Sequence, residues 1–221
     1  MNLDVKILLE VEGVWKNFGG LVALKEVSFF IPQGKIIALI GPNGAGKTTL
    51  FNVISGIYRP SSGSIKFDGK NIVGHPPHVI SKMGISRTFQ IVRPFLQMTS
   101  LENIMVGAMF GPEKELGFKE AAEKAQKCLE FVEMADKRDI LAGNLTLPDR
   151  KKVELAKALA SDPKIVLLDE VVAGLTPTEI GSAMDLIRRI RDDLKITVFW
   201  VEHVMDAVIR LADYVIVLHY G

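Results

Sequence analysis

Cysteine is almost absent from this chain of 221 residues: Cys128 stands alone, which excludes an internal disulfide and any metal site built from several thiolates, and suits a reducing compartment. Set on the apolar face of a predicted helix, it reads as an inert packing residue rather than a reactive thiol. An excess of charge is missing too. Lys and Arg number 27 against 26 Asp and Glu, so no broad positive field exists to hold nucleic acid by its phosphates, and nucleic acid is not an expected partner. No apolar run reaches about 18 residues, and the opening MNLDVKILLE has no basic region followed by a long apolar stretch. A membrane-spanning or exported chain is therefore not expected. Aromatics are sparse at 7%, yet the mean hydropathy is positive at +0.23, which points to apolar surface that partners cover.

What is present is a strong pattern of elements. Alternating Val27, Phe29 and Ile31 end at Pro32-Gln33-Gly34, and residues 64–72 fold around Asp68-Gly69 as a predicted hairpin. These predict an antiparallel β layer. Residues 36–40 form a short continuous apolar run that feeds a glycine loop, and 47–57 follow with helical character. From 91 to about 160 the pattern is helical, with Ala122, Ala125, Cys128, Leu129 and Val132 at three- and four-residue spacing. Strand and helix then alternate again: 165–168, a helix from Pro177, 196–201, a helix from Val204, and 214–218. Thr176-Pro177-Thr178-Glu179 supplies an N-cap, a proline at the first helical position and a capping-box glutamate. With no internal repeat or low-complexity linker, the reading is one α/β domain carrying an inserted helical subdomain.

The chemistry lies at two places. Residues 41–49 read GPNGAGKTT, a phosphate-binding loop between strand and helix: glycines let consecutive N–H groups curl around phosphate oxygens, and the helix presents its positive end. Gly41, Asn43, Gly44, Ala45, Gly46, Lys47, Thr48 and Thr49 are the expected binders of ATP, with Lys47 reaching the β- and γ-phosphates and the Thr48 hydroxyl on Mg2+. The second place is a buried apolar strand that ends in Asp169-Glu170, at the sheet edge where open α/β folds bind ligands. There Asp169 is expected to hold the magnesium shell and Glu170 to deprotonate the attacking water. The alternative for that pair is a helix-capping acidic turn.

These motifs, in this order and over almost the whole chain, resemble the ATP-binding subunits of ABC transporters. The resemblance implies a P-loop NTPase fold with a RecA-like core at 1–90 and 161–221 and a helical subdomain at about 91–160. It also implies that Phe18 stacks on adenine, that Gln90 senses magnesium and the γ-phosphate, and that His203 contacts the γ-phosphate and positions water. One motif departs from the family. Where LSGGQ is usual, the chain has Leu145-Thr146-Leu147-Pro148-Asp149, followed by the basic run Arg150-Lys151-Lys152. Thr146 keeps the hydroxyl expected to reach ATP held by a second subunit. Leu147 adds bulk, Pro148 lacks an N–H, and Asp149 adds a negative charge near a phosphate. The expectation is a working but weaker contact, with the basic run either offsetting Asp149 or forming a solvated helix face.

Two smaller departures are Val171 after Glu170 and Thr176 where aspartate is common. GISRTFQ, RPFLQMTSLENI and AGLTPTE are most similar to importer subunits for branched-chain amino acids. The implied partners are a second ATPase subunit, two transmembrane permease subunits and, through them, a periplasmic or extracellular binding protein, with the chain peripheral on the cytoplasmic face of the membrane. Importers of urea, amides or other amino acids stay open. So do a soluble ABC-type ATPase and a P-loop kinase. Proteins it resembles usually continue with another strand and terminal helices, so a form shortened at Gly221 is expected.

Overall fold

The computed structural model describes residues 6–89, 94–111 and 116–221. The described residues form two sheets. The first is antiparallel, with β1 (Ile7–Phe18), β2 (Leu21–Pro32), β4 (Ser62–Phe67) and β5 (Lys70–Asn71) in the order β2-β1-β4-β5. The turn from β4 to β5 has positive φ at both Asp68 (48°) and Gly69 (75°), the twist that a two-residue hairpin needs. The second sheet holds β3 (Ile36–Ile40), β6 (Ile85–Arg87), β7 (Ile165–Asp169), β8 (Thr197–Val201) and β9 (Tyr214–Val217), all parallel, in the order β6-β7-β8-β3-β9.

The central parallel strands β3, β7 and β8 are buried almost throughout and mostly apolar, because both their faces are covered. Ile37, Leu39, Ile165, Leu167, Phe199 and Val201 point into a core shared with the antiparallel layer and α1 (Lys47–Ile54). Their neighbours Ile36, Val166, Leu168, Val198 and Trp200 point into a second core. That core is closed by α3 (Ser100–Met109), α4 (Phe118–Phe131), α5 (Leu147–Leu159), α6 (Pro177–Asp192) and α7 (Met205–Leu211). The capping box predicted at Thr176 and Glu179 starts α6.

The helix expected over 47–57 stops at Ile54, and α2 (Pro77–Lys82) and β6 were not expected. With six and three residues, these two are too short to show a period. Cys128 is half-buried, and burial pushes its thiol up to about 11, which fits the inert role read from the sequence. Asn103 is fully buried on α3. Its side chain donates to the carbonyls of Phe95, Met98 and Thr99 and accepts from the Phe95 N–H. That bonding fixes the segment leading into α3 with Phe95 and Leu96 about half exposed.

Candidate functional site

Three adjacent strands bring the chemistry to one edge. β3, β8 and β7 are neighbours in the parallel sheet, so the loop after β3, His203 after β8 and the carboxylates ending β7 leave from the same C-terminal side. At the loop, Gly46 caps α1 with φ 101°, and a Cβ there would lie 2.5 Å from the Ala23 carbonyl oxygen. Gly41 is crowded in the same way, with its Cβ position 2.1 Å from the Leu218 carbonyl oxygen. Glycine is required at both positions by close backbone approach. Gly221 closes the other side of the loop, donating to the Ala45 carbonyl at 3.0 Å and accepting from Lys25 N–H at 2.7 Å.

Lys47 is buried, and its ammonium donates to the carbonyls of Gly41 (2.7 Å) and Pro42 (2.9 Å). Burial lowers its pKa, and the nearby carboxylates of Glu170 and Asp169 oppose that shift. Lys47 thus feels both acids across the site. Asn43, Gly44 and Thr48 are exposed, Thr49 is half-buried and Ala45 is buried beneath the loop. Phe18 ends β1 with 41% exposure. Its ring sits edge-on to Tyr58 at 5.2 Å, with the Lys16 ammonium 4.7 Å from its centroid. One aromatic face backed by a second ring and a cation suits a stacked base.

Asp169 is almost wholly buried and pairs with Arg87 at 2.9 Å. Arg87 also donates to Asn52 Oδ1 at 2.6 Å, tying the strand end to α1. Burial raises the Asp169 pKa against the pull of Arg87 and Lys47. Arg87 was missed by sequence reasoning; the available signal was a lone basic residue directly after the apolar and small run Gly84-Ile85-Ser86. The Thr48 hydroxyl and Asp169 carboxylate are hard oxygen donors of the kind that suit magnesium. Among the described residues no cluster of three or more His, Cys, Asp or Glu could cage a metal. Two protein oxygens plus phosphates are the usual magnesium set.

Glu170 and His203 meet directly, with Oε1 to Nε2 at 2.9 Å. Beside them Glu202 is 1% exposed, and burial pushes its pKa up. It accepts from Trp200 Nε1 (3.2 Å), His203 N–H (3.0 Å) and Val172 N–H (3.4 Å). Gln90, expected to sense magnesium and the γ-phosphate, lies outside the described residues.

The departing segment forms a good helix start. Thr146 caps α5, with Pro148 in the first turn and Asp149 as the first-turn acid. The Thr146 hydroxyl, however, donates to Asp149 Oδ2 at 2.7 Å. The sequence left the basic run either offsetting Asp149 or forming a solvated helix face; the direct partner of Asp149 is a different lysine. Asp149 is paired with Lys137 at 2.8 Å, and despite burial this bond and that from Thr146 lower its pKa. Two members of the basic run bond to backbone instead of standing in solvent alone. Arg150 donates to the carbonyls of Ala142 (3.0 Å) and Gly143 (2.7 Å), and Lys151 to those of Val171 (3.1 Å) and Ala173 (2.6 Å).

The ABC transporter family matches residues 24–173. The chain is 37% identical to the high-affinity branched-chain amino acid transport ATP-binding protein BraF of Pseudomonas aeruginosa, over 97% of this chain and 89% of that protein. It is 36% identical to LivG of Escherichia coli over the same shares. A probable LivG of Methanocaldococcus jannaschii is 36% identical over 99% of this chain and 88% of its own length. Among solved structures, the ADP conformation of an ATP-binding cassette of an ABC transporter superposes with a TM-score of 0.89 at 33% identity, covering 98% of this chain and 89% of that one. A dimeric cassette bound to ADP and Pi after hydrolysis gives 0.85 at 25% identity, covering 96% and 94%.

Proposed function

The chain belongs to the ABC transporter family and is a transport ATPase that binds nucleotide and dimerises, and from this premise we propose that it powers uptake of branched-chain amino acids. The substrate class rests on relatives in two bacteria and an archaeon that are named for branched-chain amino acid transport. The hydrolytic roles rest chiefly on the 2.9 Å contact between Glu170 and His203 beside the phosphate loop.

In this reading Phe18 stacks on adenine, and residues 41–49 wrap the phosphates in backbone N–H groups. Lys47 exchanges its two loop carbonyls for β- and γ-phosphate oxygens. Thr48, Asp169 and Gln90 would hold magnesium, which when bound would neutralise charge on the phosphates. Glu170 takes a proton from the attacking water, and His203 steadies the Glu170 carboxylate and the departing phosphate. Thr146 of a second ATPase subunit, the same chain or a related one, closes the site.

The surface toward the membrane is apolar. Phe89, Phe95 and Leu96 are each about half exposed, and Ile140 and Leu141 lie alongside the segment that Asn103 holds. Exposed apolar side chains of this kind suit a surface that partners cover. It would take two permease subunits, which receive substrate from an external binding protein, and would seat this subunit on the cytoplasmic face. Among the described residues no helix is long and apolar enough to cross a membrane. Co-purification with its permease subunits in vesicles tests the proposal: ATP hydrolysis should rise when binding protein loaded with leucine is added. Hydrolysis indifferent to the membrane subunits would refute the coupling, and stimulation by a loaded urea- or amide-binding protein instead would change the substrate.

A further inference from the structure

Glu170 has φ of 51°, the left-handed region that a non-glycine residue keeps only when its surroundings over-determine it. Part of the constraint is local. Its N–H donates to Val201 O at 3.0 Å, and its carbonyl accepts from Ala173 N–H at 3.3 Å. The rest comes from two charged side chains that grip the next three residues from different elements. The ammonium of Lys151 on α5 binds the carbonyls of Val171 and Ala173, at 3.1 and 2.6 Å. Between those two carbonyls the Val172 N–H points to the buried carboxylate of Glu202, at 3.4 Å. The same carboxylate receives the N–H of His203 at 3.0 Å, so the partner of Glu170 is fixed to the same anchor.

Lysine suits this task. Its three donors can reach non-collinear carbonyls, and a half-buried ammonium gains from such partners. Burial lowers the Lys151 pKa while Glu202 and Glu170 raise it, so the cation also sits in the field of both carboxylates. Five residues earlier on the same helix stands Thr146, about 7.5 Å away along the axis. One rigid rod therefore carries the departing segment at its tip and the grip on the Glu170 turn in its second turn.

Resting on Glu170 as the base that activates water, we propose that Lys151 is a positioning residue: it clamps residues 171–173 against Glu202 and so holds the Glu170 carboxylate on His203. Lys151 does not touch substrate, and its effect must pass through Glu170. The full chain carrying Lys151→Met, which keeps the aliphatic stem, should hydrolyse ATP with kcat about 10-fold lower and an unchanged KM. Lys151→Arg, which can still reach two carbonyls, should recover kcat to within about 3-fold of the parent.

The deciding arm is a double-mutant cycle. In a Glu170→Gln background, Lys151→Met should remove nothing further, because the group it positions is already gone. A full 10-fold loss in that background, or a parental kcat in Lys151→Met alone, overturns the inference. Lys151→Gln, smaller in its donor capacity but polar, repeats the cycle should the methionine variant fail to fold. If Glu170→Gln itself keeps parental turnover, the reading of Glu170 as base falls, and the inference falls with it. If Glu170→Gln is impaired and Lys151→Met is not, only the inference falls.

Discussion

The phosphate loop and the start of α5 serve the same chemistry by opposite means. At 41–49 backbone does the binding. Glycines at Gly41 and Gly46 sit where any Cβ would strike a carbonyl, and Lys47 waits on two loop carbonyls. At 145–149 side chains intervene. Leu147 is 53% exposed, Pro148 withholds an N–H, and the Thr146 hydroxyl is spent on Asp149, which Lys137 neutralises. A site built from backbone holds phosphate wherever it folds. One built around an internal ion pair must first give up its own bonds.

The largest effect follows from removing the backbone loop's one cation. Lys47→Ala should abolish nucleotide binding, read by fluorescence of a labelled ATP analogue; retained affinity would mean that the loop amides suffice. Next, Glu170→Gln should leave ATP binding intact, accumulate an ATP-bound dimer and lower turnover by at least about 100-fold, as expected for one proton-transfer group. Parental turnover in that variant would move the base elsewhere.

The effects at α5 are smaller. Changing Leu147, Pro148 and Asp149 to Gly, Gly and Gln should tighten the ATP-dependent dimer by about 10-fold, the sum of several terms of about 0.3–1 kcal/mol. The smallest is the Lys137–Asp149 pair. The folded-state pKa of Asp149 is lowered, so its stabilisation is present above the unfolded carboxylate range near 3.9 and lost as pH falls through the depressed value. Lys137→Met should therefore lower Tm by an amount worth less than about 1 kcal/mol near neutral pH, with the two melting curves converging in acid. A constant gap down to the lowest pH would assign the effect to packing instead.

Legibility in the sequence followed the range of the forces involved. The strand at 36–40, the hairpin at Asp68-Gly69 and the cap at Thr176 rest on local propensity and patterning, and each formed as read. The fold class was legible for the same reason, since short continuous apolar runs bounded by turn residues and alternating with helical patterns fit doubly covered strands. β6 is three residues long and exists because it pairs with β7, information that no local window holds. Arg87 and Glu202 belong to the same class. Each makes a contact with a residue 30 or more positions away, Arg87 with Asp169 and Glu202 with Val172. The partners of Arg150 and Lys151 are backbone carbonyls, which sequence does not advertise.

The contrast between the two halves can be isolated in a mixed dimer. A chain carrying Lys47→Ala holds no nucleotide of its own and can lend only its α5 start to a partner. Limiting amounts of the unaltered chain, with a labelled ATP analogue, are titrated with an excess of Lys47→Ala chain bearing either the native Leu147-Pro148-Asp149 or the Gly-Gly-Gln replacement. The account predicts that the replacement raises the affinity of the unaltered chain for ATP about 10-fold more than the native segment does. Equal enhancement by both would contradict it, and would mean that Leu147, Pro148 and Asp149 cost the partner's ATP nothing.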